Sequence, residues 1–268
     1  MTVRSAWLTA SGQSREDTRV TLSGLLTPNA FAAEDIPFKA RGGIVPGGFA
    51  LTGTAGSMTF TVGPGRAFVQ GGRLVQGTYP VAVTEPETLT AADGDAQYAR
   101  IDLVELAVQD TVYDSTGQTR ALVRLVPGAP AAVPAAPDSP DGSALPLYRI
   151  TVPAGASAGG GGLAWDSAVT NLRCATAALG GIVPASGFNG AYAGQYRDTP
   201  GVLERWDGSG VPRATWLVGA GPSATSVGGS ALLKCAAGDQ LALYGQQNSG
   251  STITTLGGSG YYTNLTAE

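Results

Sequence analysis

Arg100-Ile101-Asp102-Leu103-Val104-Glu105-Leu106-Ala107-Val108 is the stretch that decides how this chain folds. Read as an extended strand, it puts Ile101, Leu103 and Glu105 on one side and Asp102, Val104, Leu106 and Val108 on the other. That imperfect alternation predicts a strand covered on both faces, in a core or at a subunit contact. Tyr113-Asp114-Ser115-Thr116-Gly117 reads as a turn, and Ala121 to Val126 returns as an antiparallel partner. Working upstream, Met58, Phe60 and Val62 alternate with Ser57, Thr59 and Thr61 until Gly63-Pro64-Gly65 turns the chain. Phe68-Val69, a turn at Gly71-Gly72, Val81 with Val83, and a short run at Leu89 continue the pattern. Downstream, Pro127 to Pro137 carries four prolines and reads as a stiff, extended crossing connection. Leu145-Pro146-Leu147-Tyr148-Arg149-Ile150-Thr151-Val152 then resumes a strand. The fold class expected is mainly β: an antiparallel β-sandwich or barrel-like domain over residues 42–153.

Composition agrees with a folded, turn-rich chain. Its 268 residues include 40 Gly and 17 Pro, without the three-residue glycine period that collagen requires. Hydrophobic residues reach 43%, too many for a disordered tail, and charged residues only 13%. So little charge points to a surface covered by partners, although small polar residues solvate a surface equally well. A net charge of −4 and the lack of any Lys/Arg run exclude the basic footprint of a nucleic-acid binder. RSAWLTASG near the start is too short an apolar stretch for a signal peptide, and no window reaches the roughly 18 apolar residues of a membrane span. The chain is therefore expected to be made in the cytoplasm, with no membrane insertion. Cys174 and Cys235 make no disulfide framework; two free, buried thiols are expected, with pairing left open.

The sequence contains no histidine. This removes Ser-His-Asp and Cys-His nucleophile activation, histidine general-base chemistry and the common zinc sites. Carboxylate-only hydrolysis and oxygen-ligand calcium binding survive that filter.

Outside the β-domain, residues 1–41 read as an N-terminal attachment segment with a short helix. Ser14 followed by Asp17 resembles a helix start, although a capping box prefers Glu or Gln at that position. Val20, Leu22 and Leu25 would form one sticky face, and Thr27-Pro28 would end the helix. It either packs on its own domain or docks on a partner. Residues 154–184 form a Gly/Ala-rich linker region whose first part, 154–162, reads as a flexible loop or hinge. Gly-Gly-Ile-Val-Pro at 42–46 recurs at 180–184, a marker of two similar strand starts and not of a duplicated domain. Residues 185–268 carry short strands (Tyr192 to Trp206, Ala214 to Val218, Ala231 to Lys234, Gln240 to Tyr244) around a Gly208-Ser209-Gly210 turn. They form a small distal β-module, thin enough to gain its core by oligomerising.

Several of these segments resemble a known family. SAWLTASGQSREDTRVTLSGLLTP (5–28), MTFTVGPGRAFVQG (58–71), AQYARIDLVELAVQDTVYDSTGQT (96–119), VPGAPAAVPAAPDSPDGSALPLYRITVPAGAS (126–157) and LERWDGSG (203–210) carry the likeness. In that order they are similar to minor tail or baseplate (receptor-binding-like) proteins of actinobacterial phages and prophages, and to related parts of contractile injection systems. The resemblance covers about residues 1–175. It implies a self-contained β-domain at a tail tip, a more variable distal part, contacts with other tail or baseplate proteins through the N-terminal region, and a homotrimer. It also implies a place in a virion tail or injection-system baseplate. LERWDGSG resembles a small hairpin of phage fibre proteins, and Ala237 to Leu265 resembles the closing strands of a C1q/TNF-like sandwich, though the stretch before it is short for a full domain of that type.

Candidate ligand-binding residues lie in the distal part: Tyr192, Tyr196, Trp206, Trp216, Tyr244, Tyr261 and Tyr262, with amides Gln246 and Asn248. Aromatic faces stack on sugar C–H surfaces and amides bond hydroxyls, so these fit a bacterial surface glycan; equally they fit a small core or subunit seam. Paired carboxylates for glycoside hydrolysis are available at Glu85 with Glu87, Asp93 with Asp95, and Asp198 with Glu204 and Asp207. Asp138 and Asp141 flank Ser139-Pro140 and read as a solvated turn, with too few ligands for a calcium loop. No catalytic residue, metal site or cofactor is expected. The sequence points first to a non-enzymatic structural tail component, then to a glycan-recognising receptor-binding protein, then to a carboxylate-dependent cell-wall hydrolase.

Overall fold

The structure is a computed structural model. It describes residues 14–29, 39–183, 192, 194–199, 202–206 and 212–217. The chain divides into two units, Met1–Leu232 and Leu233–Glu268, and the second lies wholly outside the described residues. Helix α1 (Arg15–Ser23) comes first. Strands β1 (Gly43–Ile44), β2 (Leu51–Gly53), β3 (Thr59–Val62), β4 (Gly65–Gln70), β5 (Thr78–Val83) and β6 (Glu87–Thr90) follow. Then come β7 (Arg100–Asp110), β8 (Thr119–Val126), β9 (Ala144–Val152), the one-turn helix α2 (Trp165–Ala168) and β10 (Val169–Asn171). The last described strands are β11 (Tyr196–Thr199), β12 (Val202–Trp206) and β13 (Pro212–Leu217). All of them pair antiparallel, in small sheets ordered β1-β4-β5, β2-β3-β6, β10-β9-β7-β8 and β11-β12-β13. The chain is thus mainly antiparallel β, as the periodicity predicts.

β7 is the organising strand, and it is buried from Asp102 to Asp110. One side supplies Val104, Leu106 and Val108 to an apolar core shared with Phe49, Met58, Phe60, Val62, Val69 and the inward residues of β9. β9 reaches that core by breaking its own alternation. Val104 stands opposite Tyr148 but Glu105 opposite Pro146, so Leu147 is an extra residue in a β-bulge. The bulge shifts the phase, and Leu145, Leu147, Tyr148, Ile150 and Val152 all turn inward. The exposed Pro146 sits at the bulge, where a missing N–H is tolerated.

The other side of β7 carries Leu103, Glu105, Ala107 and Gln109, also buried. Glu105 has 0% exposure in the middle of the strand. The register sets Arg124 opposite Glu105 and Arg120 opposite Gln109. Arg124 Nε donates to Glu105 Oε1 at 2.7 Å, and its Nη1 lies 2.8 Å from Asp141 Oδ2. Its Nη2, 2.6 Å from Glu105 Oε1, is in ion-pair contact but misaligned for a hydrogen bond. Ser139 Oγ donates to Glu105 at 3.1 Å, Gln109 Nε2 to Asp141 at 3.3 Å, and Arg120 Nε to Gln109 Oε1 at 3.0 Å. The proline-rich connection therefore crosses over β7 and is locked there by polar side chains. This corrects the sequence reading of Asp138 to Asp141 as a solvated turn: Asp141 is buried in an ion pair, because Arg124 needs a second acceptor.

The glycine-rich stretch expected as a flexible hinge is tied to the domain. Gly155 N–H donates to Asp95 O at 2.7 Å, Gly94 N–H to Ala156 O at 2.6 Å, and Leu163 N–H to Ser57 O at 3.2 Å. Trp165 lies over Gly53, where even a β-carbon would collide with the indole. Its ring tilts against Phe60 at 5.4 Å, and Nε1 reaches Thr54 O and Ser57 O. β10 then joins the four-stranded sheet beside β9. In its described part, residues 154–183, the stretch expected as a linker contributes to the β-domain.

Two outcomes test this core. Leu147→Ala should cost about 2–5 kcal/mol of unfolding free energy by denaturant titration, against less than about 0.5 kcal/mol for the exposed Thr151→Ala. Arg124→Met should cost about 3–5 kcal/mol, because it strands the buried Glu105 and Asp141 carboxylates, whereas the Glu105→Met/Arg124→Met/Asp141→Asn triple variant should recover most of that loss. Equal losses for the single and triple variants would show that the cluster does not act as a unit.

Candidate functional site

Helix α1 begins where the sequence predicts. Ser14 is extended, its Oγ accepts Asp17 N–H at 3.1 Å, and Asp17 Oδ2 takes Ser14 N–H at 2.8 Å. Aspartate thus fills the capping-box position usually held by a longer acid. The helix ends at Gly24, and of its side chains only Ser23 is fully buried.

Arg19 holds α1 on the β-domain. Its Nε donates to Gln76 O at 2.9 Å, its guanidinium lies 4.5 Å above the Tyr79 ring, and Nη2 is 3.7 Å from Asp110 Oδ2. Tyr79 donates to Asp110 at 2.8 Å and accepts from Gln76 Nε2 at 2.7 Å. Burial pushes the Tyr79 phenol well above the ordinary tyrosine range, the Asp110 carboxylate adds to the rise, and Gln76 and Arg19 oppose it. Burial likewise raises Tyr113, whose hydroxyl bonds Glu16 of the helix. Gly77, at φ 71°, brings its backbone against Arg19 and Val20 where any side chain would collide. Of the two alternatives for the helix, the structure shows the first: α1 packs on its own domain.

Just after α1 the chain enters the β-domain beside the place where it leaves. Leu26 bridges Ala178 antiparallel, Thr27 N–H donates to Ala177 O, and Leu179 N–H donates to Leu25 O, both at 2.9 Å. Gln195 Nε2 donates to Thr27 Oγ1 at 3.0 Å, bringing the start of β11 to the same stem. Val183 bridges Arg197 and continues the pairing toward the distal strands. Leu25, Leu179 and Ile182 are 62%, 56% and 53% exposed on this stem. The repeated Gly-Gly-Ile-Val-Pro shows opposite phases: Ile44 is buried and Val45 exposed, whereas Ile182 is exposed and Val183 buried. The two copies start different pairings, Ile44 with Ala67 of β4 and Val183 with Arg197 of β11.

The candidate aromatics are brought together only in part. Tyr192 and Tyr196 flank Gln195 and are each half-buried, with Tyr196 opposite Arg205. Trp216 stands opposite Leu203, and Trp206 opposite Pro212 beyond a register shift. Tyr244, Gln246, Asn248, Tyr261 and Tyr262 lie outside the described residues. The strands expected over Ala231 to Lys234 and Gln240 to Tyr244, and Cys235, lie outside them too. Cys174 is free and half-buried, not fully buried as expected, and its sulfur accepts Arg41 Nη2 at 2.9 Å.

Two of the candidate carboxylates, Asp95 and Glu204, go to structural partners. Asp95 accepts Gln97 and Tyr98 N–H groups, and those backbone bonds hold its carboxyl below the usual range. Glu85 and Glu87 are exposed around the start of β6. Glu204 pairs with Arg197 directly across β11 and β12, Asp198 is exposed opposite Leu203, and Asp207 lies outside the described residues. Sequence reasoning missed the Glu105–Arg124–Asp141 cluster. Its signal was present: once the turn at Tyr113 to Gly117 fixes the hairpin, Glu105 falls opposite Arg124. Among the described residues, no cluster of His, Cys, Asp and Glu is arranged to hold a metal, and no helix is long and apolar enough to cross a membrane.

Comparison of the chain with protein-family models, curated proteins and solved structures finds no match in any of the three.

Because folded Tyr79 keeps its proton beyond the pH at which an unfolded tyrosine ionises, its contribution is intact below about pH 10 and is lost as pH rises past that value. The melting temperature should fall steeply above about pH 10, and less steeply in Tyr79→Phe. Identical slopes for the two proteins would place the alkaline transition elsewhere.

Proposed function

We propose that this protein is a non-enzymatic structural subunit of a phage-like tail, at or near the baseplate, assembled as a homotrimer. The observation that carries this reading is the stem. One stem ties α1, both ends of the β-domain and the start of the distal strands, so the domain is a rigid body held from one place. A rigid β-body on a shared stem suits a part whose task is to set direction, with shallow distal contacts multiplied by copy number. The order of the resembling segments supports the same reading, as does a histidine-free, weakly charged sequence. On it, the small sheets close as a sandwich- or barrel-like body, and residues 185–268 form the distal module. Recognition of a surface glycan by that module is a second reading, favoured by the partial exposure of Tyr192 and Tyr196 beside the stem.

Light scattering on the purified chain should return three times its 26.9 kDa mass. A mass of 26.9 kDa at every concentration would remove the homotrimer. Antibody labelling of particles from a producing strain should mark the tail tip, and label confined to particle-free lysate would sink the tail assignment.

A further inference from the structure

Seven of the eight described strands at sheet margins are short, bridged or proline-bearing. β1 and β11 have two and four residues, and each takes a bridge on the side away from its sheet, Ile44 with Ala175 and Arg197 with Val183. β2, β6 and β10 run for three, four and three residues. β5 carries Pro80, which has no N–H to offer, and β13 starts at Pro212. β8 is the exception. It runs eight residues at the margin of its sheet, pairs with β7 from Thr119 to Val126 without a register shift, and contains no proline. In an antiparallel pair alternate residues turn their N–H and C=O away from the partner, so half of β8 points these groups outward. Among the described residues no hydrogen bond reaches that side. The two charges that could guard it are drawn back over the sheet, Arg120 to Gln109 and Arg124 to Glu105 and Asp141. Long flat edges are ordinarily closed by charges, prolines or bulges, and β8 has none of these in place. A regular row of outward N–H and C=O groups is complementary to another extended backbone, which states the chemistry of the occupant. On the core side of β8 stand Val123 and Leu125, with Leu89 of β6 packed against the same core, so the added strand meets apolar neighbours there.

We propose that β8 is a docking edge, which takes an extended segment of a different protein as a fifth strand, with apolar side chains at alternate positions on the side of Val123 and Leu125. The choice of a different protein rests on the three-copy assembly proposed above, because a β8–β8 contact between two copies closes as a pair. The probe is a labelled synthetic peptide with the sequence of β7, Arg100–Asp110, the strand that β8 already pairs with on its inner side. Added to the full chain, it should bind saturably and slow hydrogen exchange at the β8 amides that turn away from β7, leaving those bonded to β7 unchanged. Ala121→Lys sets a charge at an exposed position of the edge and should weaken binding at least about tenfold at unchanged melting temperature. A peptide that does not bind, binds Ala121→Lys equally well, or protects amides elsewhere would overturn the docking edge. Peptide binding is read separately from the mass of the free chain, so the edge and the three-copy assembly fail independently. Protection of the same outward amides without peptide, as the mass of the chain doubles with concentration, would make the occupant a second copy and overturn the choice of a different protein.

Discussion

A carboxylate with no exposure sits in the middle of the longest strand, and the fold is arranged around the need to compensate it. Glu105 cannot be taken out of water alone, so Arg124 must stand opposite, which fixes the β7–β8 register. Arg124 in turn reaches a second acid, Asp141, which draws the proline-rich connection across the face of β7. One ion cluster thus sets a hairpin register and the path of a long crossing segment. A buried pair of this kind is weak as a source of net stability. It is strong as a selector, since any slip of one residue would leave a buried charge unpaired.

With that face closed, β7 turns Val104, Leu106 and Val108 into a core drawn from three sheets, and that side ends in polar contacts, Asp102 with Arg100 and Asp110 with Tyr79. The bulge at Leu147 is the accommodation that makes this possible. Leu145 and Leu147 precede it in one phase, Tyr148, Ile150 and Val152 follow in the other, and a strict alternation would have turned one set to water. Trp165 over Gly53 then closes one end of that core and brings the glycine-rich stretch into the domain.

The periphery is built on a different principle. α1 is joined to this body by Arg19, by the Ser23–Thr78 hydroxyl pair and by the Tyr113–Glu16 bond, and the stem by backbone pairs that also bury Leu26, Ala177 and Val183. β11, β12 and β13 form a narrow sheet tied to the stem through Val183 and Gln195.

By itself the sequence determined the elements. Period-two alternation located β3, β5, β7, β8 and β9, glycine and proline marked their turns, and Ser14 with Asp17 marked the start of α1, because these signals are local and act through backbone geometry and solvent contrast. It also made a two-faced β7 legible, since Glu105 shares a side with Ile101 and Leu103. Tertiary structure alone decided the rest. Asp141 is buried against Arg124, 17 positions earlier, the stretch from 155 to 163 is held by the distant Asp95 and Ser57, and residues 25–27 pair with 177–179. Those outcomes depend on which remote groups meet, and composition or spacing along the chain carries no record of such meetings.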